Sequence, residues 1–307
     1  MSASIAIVSA ADSGYFRLLK GLVLSLEAVR GRFPFDLCIF DLGLTSDQRA
    51  FLDTHCQAVT RPGWDIAFPA MDKAPDHYKA MVSRPFIPRH FPGYDIYLWL
   101  DADAWVQDPA VLDVYVRAAR RGHIAIAAQI DRAYKGAYKR GKLFGWTHNH
   151  KHYRLGFGWR VADRFGPYPI LNSGALSIPG TAKHWSLWAD ALRQALQRSR
   201  HKLIEQTALN LVLYQHRADV AILPAYCNWL CDAATPCVDD DNGLLVEPFE
   251  PHQPLGIVHL AGDFEREEEL DLRSIAGREV RARLTFEEWM ARRASLFPAA
   301  APSPAKV

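Results

Sequence analysis

The chain has 307 residues, 49% of them apolar, with a formal net charge of +2. That is an ordinary globular composition, long enough for one large or two modest domains. The near-balanced charge argues against a dedicated nucleic-acid binder, which carries a strong basic excess.

No apolar run approaches the ~20 residues that span a bilayer. Met1-Ser2-Ala3-Ser4 leads straight into Ile5-Ala6-Ile7-Val8 without a basic segment, so no signal peptide is expected. The five cysteines, 38, 56, 227, 231 and 237, are an odd set that fits a reducing cytosol better than a disulfide framework. Cys227, Cys231 and Cys237 fall close together but match no usual zinc-ligand spacing. A cytoplasmic protein is therefore expected.

In chain order, Ile5 to Ser9 reads as a short buried strand. Phe16, Leu19, Leu22, Val23 and Leu26 follow at helical spacing. Phe35 to Phe40 is a second strand, and Thr45 caps a short helix running to Leu52. Residues 73–90 are partly helical, broken by Pro85 and Pro88. Ile96 to Leu100 is a third strand, Asp108-Pro109 opens a helix with an apolar stripe through Val111, Val114, Tyr115 and Ala118, and His123 to Ala128 is a fourth strand. Residues 131–168 are polar and aromatic without a clear period, as expected for a long loop acting as a lid. Ile170 to Ile178 is strand-like, Trp185 to Leu196 and Glu205 to Tyr214 are helical, and Gly256 to Leu260 is a late strand. The stretch from Arg278 to Phe297 reads as an amphipathic helix packed on the domain, with peripheral contact to the inner face of a membrane as its alternative. A Pro/Ala-rich tail from Pro298 is expected to be disordered. The division expected is a catalytic domain over 1–265, a helical extension over 266–297 and a tail over 298–307.

Strand–helix alternation of this kind predicts an α/β fold, a mostly parallel sheet flanked by helices. Ligands bind such sheets at the carboxyl ends of the strands. The loops after Ser9 and Leu100 are therefore where chemistry is sought.

The segment after the third strand is the most informative. Tyr97-Leu98-Trp99-Leu100 runs into Asp101-Ala102-Asp103. Two like charges beside a buried apolar strand are costly unless a cation compensates them. Mg²⁺ or Mn²⁺ does so, since both prefer carboxylate oxygens and share sites with substrate phosphates. An isolated Asp-X-Asp is more often a solvated turn; the strand before it carries the metal reading.

With these residues in view, the chain resembles the family 8 glycosyltransferases, the group of glycogenin and the bacterial lipopolysaccharide galactosyl- and glucosyltransferases. The resemblance runs over about residues 5–262 in ordered blocks: Ala10 to Tyr15, Arg84 seventeen residues before Asp101, Leu100 to Ala104, Leu171 to Leu176, Glu205 to Asn210, and His259 to Gly262. It implies the glycosyltransferase A fold, a single Rossmann-like domain with an extended acceptor region, and retention at the anomeric carbon. It implies a UDP-sugar donor and a carbohydrate, glycolipid or protein acceptor. It also implies a Mn²⁺ (or Mg²⁺) ion held by Asp101, Asp103 and His259, with Asp101-Ala102 against the nucleotide. Ala10, Asp12 and Tyr15 are implied to hold the nucleoside, although Asp12 is equally suited to cap the next helix. Arg84 is implied to bind donor hydroxyls or pair with a carboxylate, against the alternative of a surface arginine. Asn172 and Gly174 are implied to meet the sugar, and Glu205 and Gln206 to sit near the anomeric carbon, against the alternative of an exposed helix start. Gly262 closes the histidine block.

One block departs from the family pattern. The lysine that follows His-x-x-Gly is absent, and Arg266 or a lysine of the 131–152 loop is expected to replace it at the phosphates. In Trp146 to His152, three histidines at alternate positions fit metal spacings poorly and read as solvated. Two rivals stay open: a haloacid-dehalogenase-like phosphohydrolase with Asp101 as nucleophile, and a non-catalytic sugar-nucleotide binder.

Overall fold

The computed structural model describes residues 3–134, 144–262 and 269–297. In chain order the first elements are β1 (Ile5–Ala11), α1 (Phe16–Val29), β2 (Asp36–Asp41), α2 (Ser46–His55), β3 (Ala58–Thr60), α3 (Tyr78–Ser83), α4 (Ile87–His90), β4 (Ile96–Leu100), β5 (Ala104–Val106), α5 (Ala110–Arg120) and β6 (Ile124–Ala128). Then come α6 (Phe144–Phe157), α7 (Trp159–Phe165), β7 (Leu171–Pro179), α8 (His184–Leu196), α9 (Ile204–Gln215) and β8 (Val220–Leu223). The C-terminal part holds β9 (Trp229–Leu230), β10 (Cys237–Val238), β11 (Leu245–Val246), β12 (Ile257–His259), β13 (Leu270–Ser274), β14 (Glu279–Ala282) and α10 (Phe286–Leu296).

The central sheet has seven strands in the order β3-β2-β1-β4-β7-β6-β8. All pairs are parallel except those of β7, which runs against both β4 and β6. The expected α/β, mostly parallel arrangement is therefore what forms. Strand β4 is buried along its whole length because both faces are covered. Ile96, Leu98 and Leu100 pack with Leu19, Leu22 and Val23 of α1 and Tyr115 of α5. Tyr97 and Trp99 face the opposite layer, with Trp188 of α8 and Leu209 of α9. Each fully buried large apolar side chain contributes about 1.5–3 kcal/mol, so this double coverage fixes the edge from which Asp101 emerges. Helix α2 starts with the predicted cap: Thr45 accepts from Gln48 N while Gln48 reaches back to Thr45 N at 3.0 Å.

The second layer of the site comes from a small sheet, β5-β12-β9. Strand β5 follows the acidic turn directly, and β12 pairs with it antiparallel, setting His259 opposite Ala104. This register carries a residue far along the sequence to the end of β4.

Three expectations are corrected. The polar stretch 131–168 is not a structureless loop, since α6 and α7 occupy 144–157 and 159–165. Its buried face is made by Tyr153, Phe157, Ala162 and Phe165 packed on the core, too sparse a stripe among His, Lys and Gly to show a period. Helix α5 begins at Ala110, with Pro109 one position outside it. The C-terminal stretch is helical only over 286–296. Before that, β13 and β14 form a hairpin in which Leu272, Ser274, Val280 and Ala282 are buried and their neighbours exposed, the two-residue period of a strand. Residue Gly277, at φ +84°, makes the turn. Helix α10 packs on α1: Trp289 is fully buried, and Arg17–Glu288 and Lys20–Glu287 pair across the contact at 3.1 and 2.9 Å. No helix among the described residues is long and apolar enough to cross a membrane. The expected tail, 298–307, lies outside the described residues, as do Arg266 and Lys135, Lys139 and Lys142.

Candidate active site

At the carboxyl end of β4 the chain makes a tight turn. Asp101 N donates to Gly174 O at 2.7 Å, and Ala104 N donates to Asp101 O at 3.0 Å. The turn ends β4, starts β5 and leaves both carboxylates on the same side as the imidazole of His259. Nε2 of His259 lies 3.2 Å from Asp103 Oδ1 and 3.9 Å from Asp101 Oδ2. One ligand atom from each of the three residues falls within 4.8 Å of the others. Ligands about 2.1 Å from a hard cation stand roughly 3 Å apart when adjacent and roughly 4.2 Å apart when opposite, so the separations suit one shared ion. The donor set, two carboxylates and an imidazole, suits Mn²⁺ and Mg²⁺.

Gly174 forms the floor of this cluster. A Cβ built there would sit 2.3 Å from His259 Cε1, 2.7 Å from Asp101 Oδ2 and 2.8 Å from Asn172 Oδ1. Only glycine lets the strand come this close. Gly262, at φ +79°, occupies a similar position one turn on, where a Cβ would meet Asp232 Oδ2 at 2.5 Å. Asp232 is thus a further acid beside the cluster, which no motif marked. His259 loses solvation, which works against its charge; Asp103, through charge and hydrogen bonding, and Asp101 outweigh this and raise its pKa above the ordinary value.

The other oxygen of Asp101 faces away from the cluster. Oδ1 accepts from Trp99 Nε1 at 2.7 Å and from Arg84 Nη2. Arg84 follows α3 in a turn of 3-10 helix and is buried, its guanidinium 4.3 Å above the Trp99 ring. It is no surface arginine. Its second nitrogen meets Glu205 Oε2 at 3.0 Å and Ser173 Oγ at 3.1 Å. Burial opposes the charge of Arg84, but Asp101, Glu205 and Asp103 hold its pKa above the ordinary value.

Glu205 and Gln206 begin α9 and are buried at 3% and 7% exposure, which removes the exposed-helix-start alternative. Desolvation pushes the Glu205 carboxyl up to about 7, with Arg84 pulling it down and Asp101 pushing it further up. Its Oε1 is buried without a hydrogen-bond partner. Gln206 Oε1 accepts from Ser173 N at 2.9 Å and from Ser173 Oγ at 3.3 Å. The amide oxygen is therefore anchored on β7, and a direct approach to a sugar through it requires leaving Ser173. Asn172 Oδ1 is likewise occupied, by Gly174 N and Asn228 Nδ2, each at 2.9 Å. Its amide nitrogen remains the group with which it can donate to a hydroxyl.

Of the nucleoside residues, Ala10 and Asp12 are half-buried and Tyr15 is 44% exposed at the start of α1. Asp12 Oδ1 accepts from Tyr15 N at 3.0 Å, closing the turn ahead of α1; it does not cap the helix, whose N-cap is Tyr15 without a side-chain cap bond. Ala102, between the two acids, is buried. Among the residues not singled out from sequence, Arg17 lines a small pocket with Asp103 and Leu260. Of the histidine run, His150 pairs with Asp163 at 2.8 Å, and His152, buried against His201 rather than solvated, lines a small pocket with Gln206 and Asn210. The side chain of His148 lies outside the described residues. Cys227 and Cys231 are buried and Cys237 half-buried, all as free thiols.

No family model matches the sequence, and no curated protein matches it. Solved structures match in fold. The galactosyltransferase LgtC, in complex with donor and acceptor sugar analogues, superimposes with a TM-score of 0.55 at 14% identity, over 97% of this chain and 98% of that one. An active-site mutant of LgtC with glutamine replaced by glutamate gives 0.53 at 13% identity over the same shares, 97% and 98%. The glycosyltransferase GlyE of Streptococcus pneumoniae TIGR4, in its apo form, gives 0.50 at 16% identity over 100% of this chain and 66% of that one. The chain has the glycosyltransferase A fold.

Proposed function

We propose that the protein is a metal-dependent, retaining glycosyltransferase of the family 8 type. It moves a hexose from a UDP-sugar to a hydroxyl of a carbohydrate, glycolipid or protein acceptor. The observation that carries this reading is the Asp101–Asp103–His259 cluster at the carboxyl end of β4, where an α/β sheet of this fold binds its ligand. A divalent cation held there supplies Lewis-acid neutralisation of the diphosphate leaving group.

The chain's own residues then have separable tasks. Asp101 divides its two oxygens between Arg84 and the cluster, so the donor-side charge is set by a rigid pair. Asn172 donates its free amide nitrogen to a sugar hydroxyl. Gly174 lets the β7 backbone lie close beneath it. Glu205 and Gln206 border the anomeric carbon, on an anchored face that stabilises developing positive charge by position and dipole. LgtC, which shares the fold, has an active-site glutamine of its own. The uracil and ribose fall to Ala10, Asp12, Tyr15 and Ala102. With five free thiols the protein suits a reducing compartment, and we place it in the cytoplasm.

A phosphohydrolase using Asp101 as nucleophile is disfavoured by the hydrogen bonds that tie Oδ1 to Trp99 and Arg84. The deciding measurement is release of UDP from UDP-glucose, UDP-galactose, UDP-xylose and their N-acetyl analogues, with and without Mn²⁺. Metal-dependent release from at least one donor is expected. Release of phosphate from simple esters instead would establish the hydrolase, and binding of UDP without turnover on any donor would establish a binder.

A further inference from the structure

A neutral imidazole has one protonated nitrogen and one lone pair, and only the lone pair can hold a cation. Which nitrogen carries the proton depends on what the other one faces. For His259 the answer follows from a chain of hydrogen bonds that begins at a group of fixed polarity. The backbone N–H of Gly174 can only donate, and it donates to Asn172 at 2.9 Å; the atom it meets is therefore the amide oxygen. That same oxygen has a second partner, Asn228, also at 2.9 Å, which must donate through Nδ2. Asn228 is then turned so that its Oδ1 faces His259 Nδ1, again at 2.9 Å. An amide oxygen only accepts, so Nδ1 carries the proton. Nε2 is left as the nitrogen facing Asp103 and Asp101. No link in this chain can be reversed without opposing two donors or two acceptors inside a dry site: Asn172, Asn228 and His259 are 7%, 1% and 2% exposed.

The backbone keeps the chain in place. Asn228 ends a 3-10 turn, Ala225–Asn228, immediately before β9. Strand β9 pairs with β12 so that Leu230 lies opposite His259. Asn228 is thus held beside the imidazole by sheet register as well as by its own hydrogen bonds.

We propose that Asn228 is a positioning residue that fixes the proton of His259 on Nδ1 and so presents Nε2 to the divalent cation. It also links the metal side of the site to the sugar side: the same amide that meets His259 through Oδ1 donates through Nδ2 to the oxygen of Asn172 and leaves that residue's amide nitrogen for the donor. This inference rests on the metal reading of the cluster.

The test is Mn²⁺ binding alone, followed by electron paramagnetic resonance without any donor sugar, on the full chain. Asn228→Leu keeps the volume and removes both hydrogen bonds; a 10–100-fold weaker affinity for Mn²⁺ is expected, the usual effect of losing an outer partner of a metal ligand. In a His259→Ala background the same change is expected to have no further effect. Unchanged affinity for Asn228→Leu, or an equal loss with and without His259, overturns the proposal. If Asn228→Leu does not fold, the unaltered protein decides. Nitrogen-15 spectra of its Mg²⁺-loaded form are expected to show the His259 proton on Nδ1, and a proton on Nε2 overturns the proposal. Failure of the unaltered protein to bind Mn²⁺ defeats the metal reading and this inference with it, whereas binding that is insensitive to Asn228 defeats only the role given to Asn228.

Discussion

Asp101 belongs to two neighbourhoods, and they handle charge in opposite ways. On the Oδ1 side, Arg84 sits between Asp101 and Glu205, stacked on Trp99, and the protein supplies its own cation. On the Oδ2 side, Asp101, Asp103 and His259 converge around a glycine with no lysine or arginine paired to Oδ2 among the described residues. Buried ion pairs of the first sort are structural: breaking one by removing a partner is strongly destabilising. The second side is the acidic convergence at which the function proposed above places a divalent cation. On that proposal one side chain couples the rigidity of the scaffold to the binding of a ligand.

The two sides are told apart by changes confined to one of them. The largest expected effect is on the open side. Asp103→Ala should lower metal-dependent UDP release by roughly 10³-fold or more, while the thermal midpoint of the metal-free protein moves by a few degrees at most. Unchanged turnover would sink the metal assignment. On the neutralised side the order reverses. Arg84→Met leaves Asp101 and Glu205 without their cation and should cost about 3–5 kcal/mol of stability, read by urea denaturation without metal. A loss below about 1 kcal/mol would mean that the pair is a bystander.

The smallest effect is a pH dependence. Glu205 titrates near 7 in the folded chain against an ordinary 4.5, so between those values the folded chain keeps a proton that the unfolded chain has released. For this group stability is highest below pH 4.5 and falls as pH rises to about 7, by roughly 3 kcal/mol at 1.36 kcal/mol per unit. Glu205→Gln should remove that slope, so the variant gains on the wild type between pH 5 and 7 in metal-free unfolding curves. Parallel curves would place the carboxyl in a wetter setting than its burial indicates.

Much of this was legible in sequence because it is local. The apolar run 96–100 followed by two aspartates announces a buried strand with a charged end, and α1, α2 and α8 carry their own periodicity or caps. Arg84, Asn172, Gly174, Glu205, Gln206 and His259 could be named from blocks in order, and the fold gathers them about Asp101. What stayed hidden depends on pairing between distant segments. Nothing local says that β7 enters the sheet reversed, or that two-residue strands β9 and β10 exist at all. The same is true of Asn228, an ordinary asparagine in a cysteine-containing turn whose importance comes entirely from its position next to β12. Helices α6 and α7 were missed because histidine, glycine and lysine dilute their buried stripe.

The pairing of β5 with β12 has a consequence for biosynthesis. Synthesis proceeds from the N-terminus, so the doublet Asp101 and Asp103 leaves the ribosome long before residue 259 of 307. Until β12 docks on β5, the nascent polypeptide has the two acids without the imidazole. Side chains alternate along a strand, so a docking error of one residue would bring Val258 or Leu260 to the acids instead. On the function proposed above, competence for chemistry then waits until β12 has been made and paired in register.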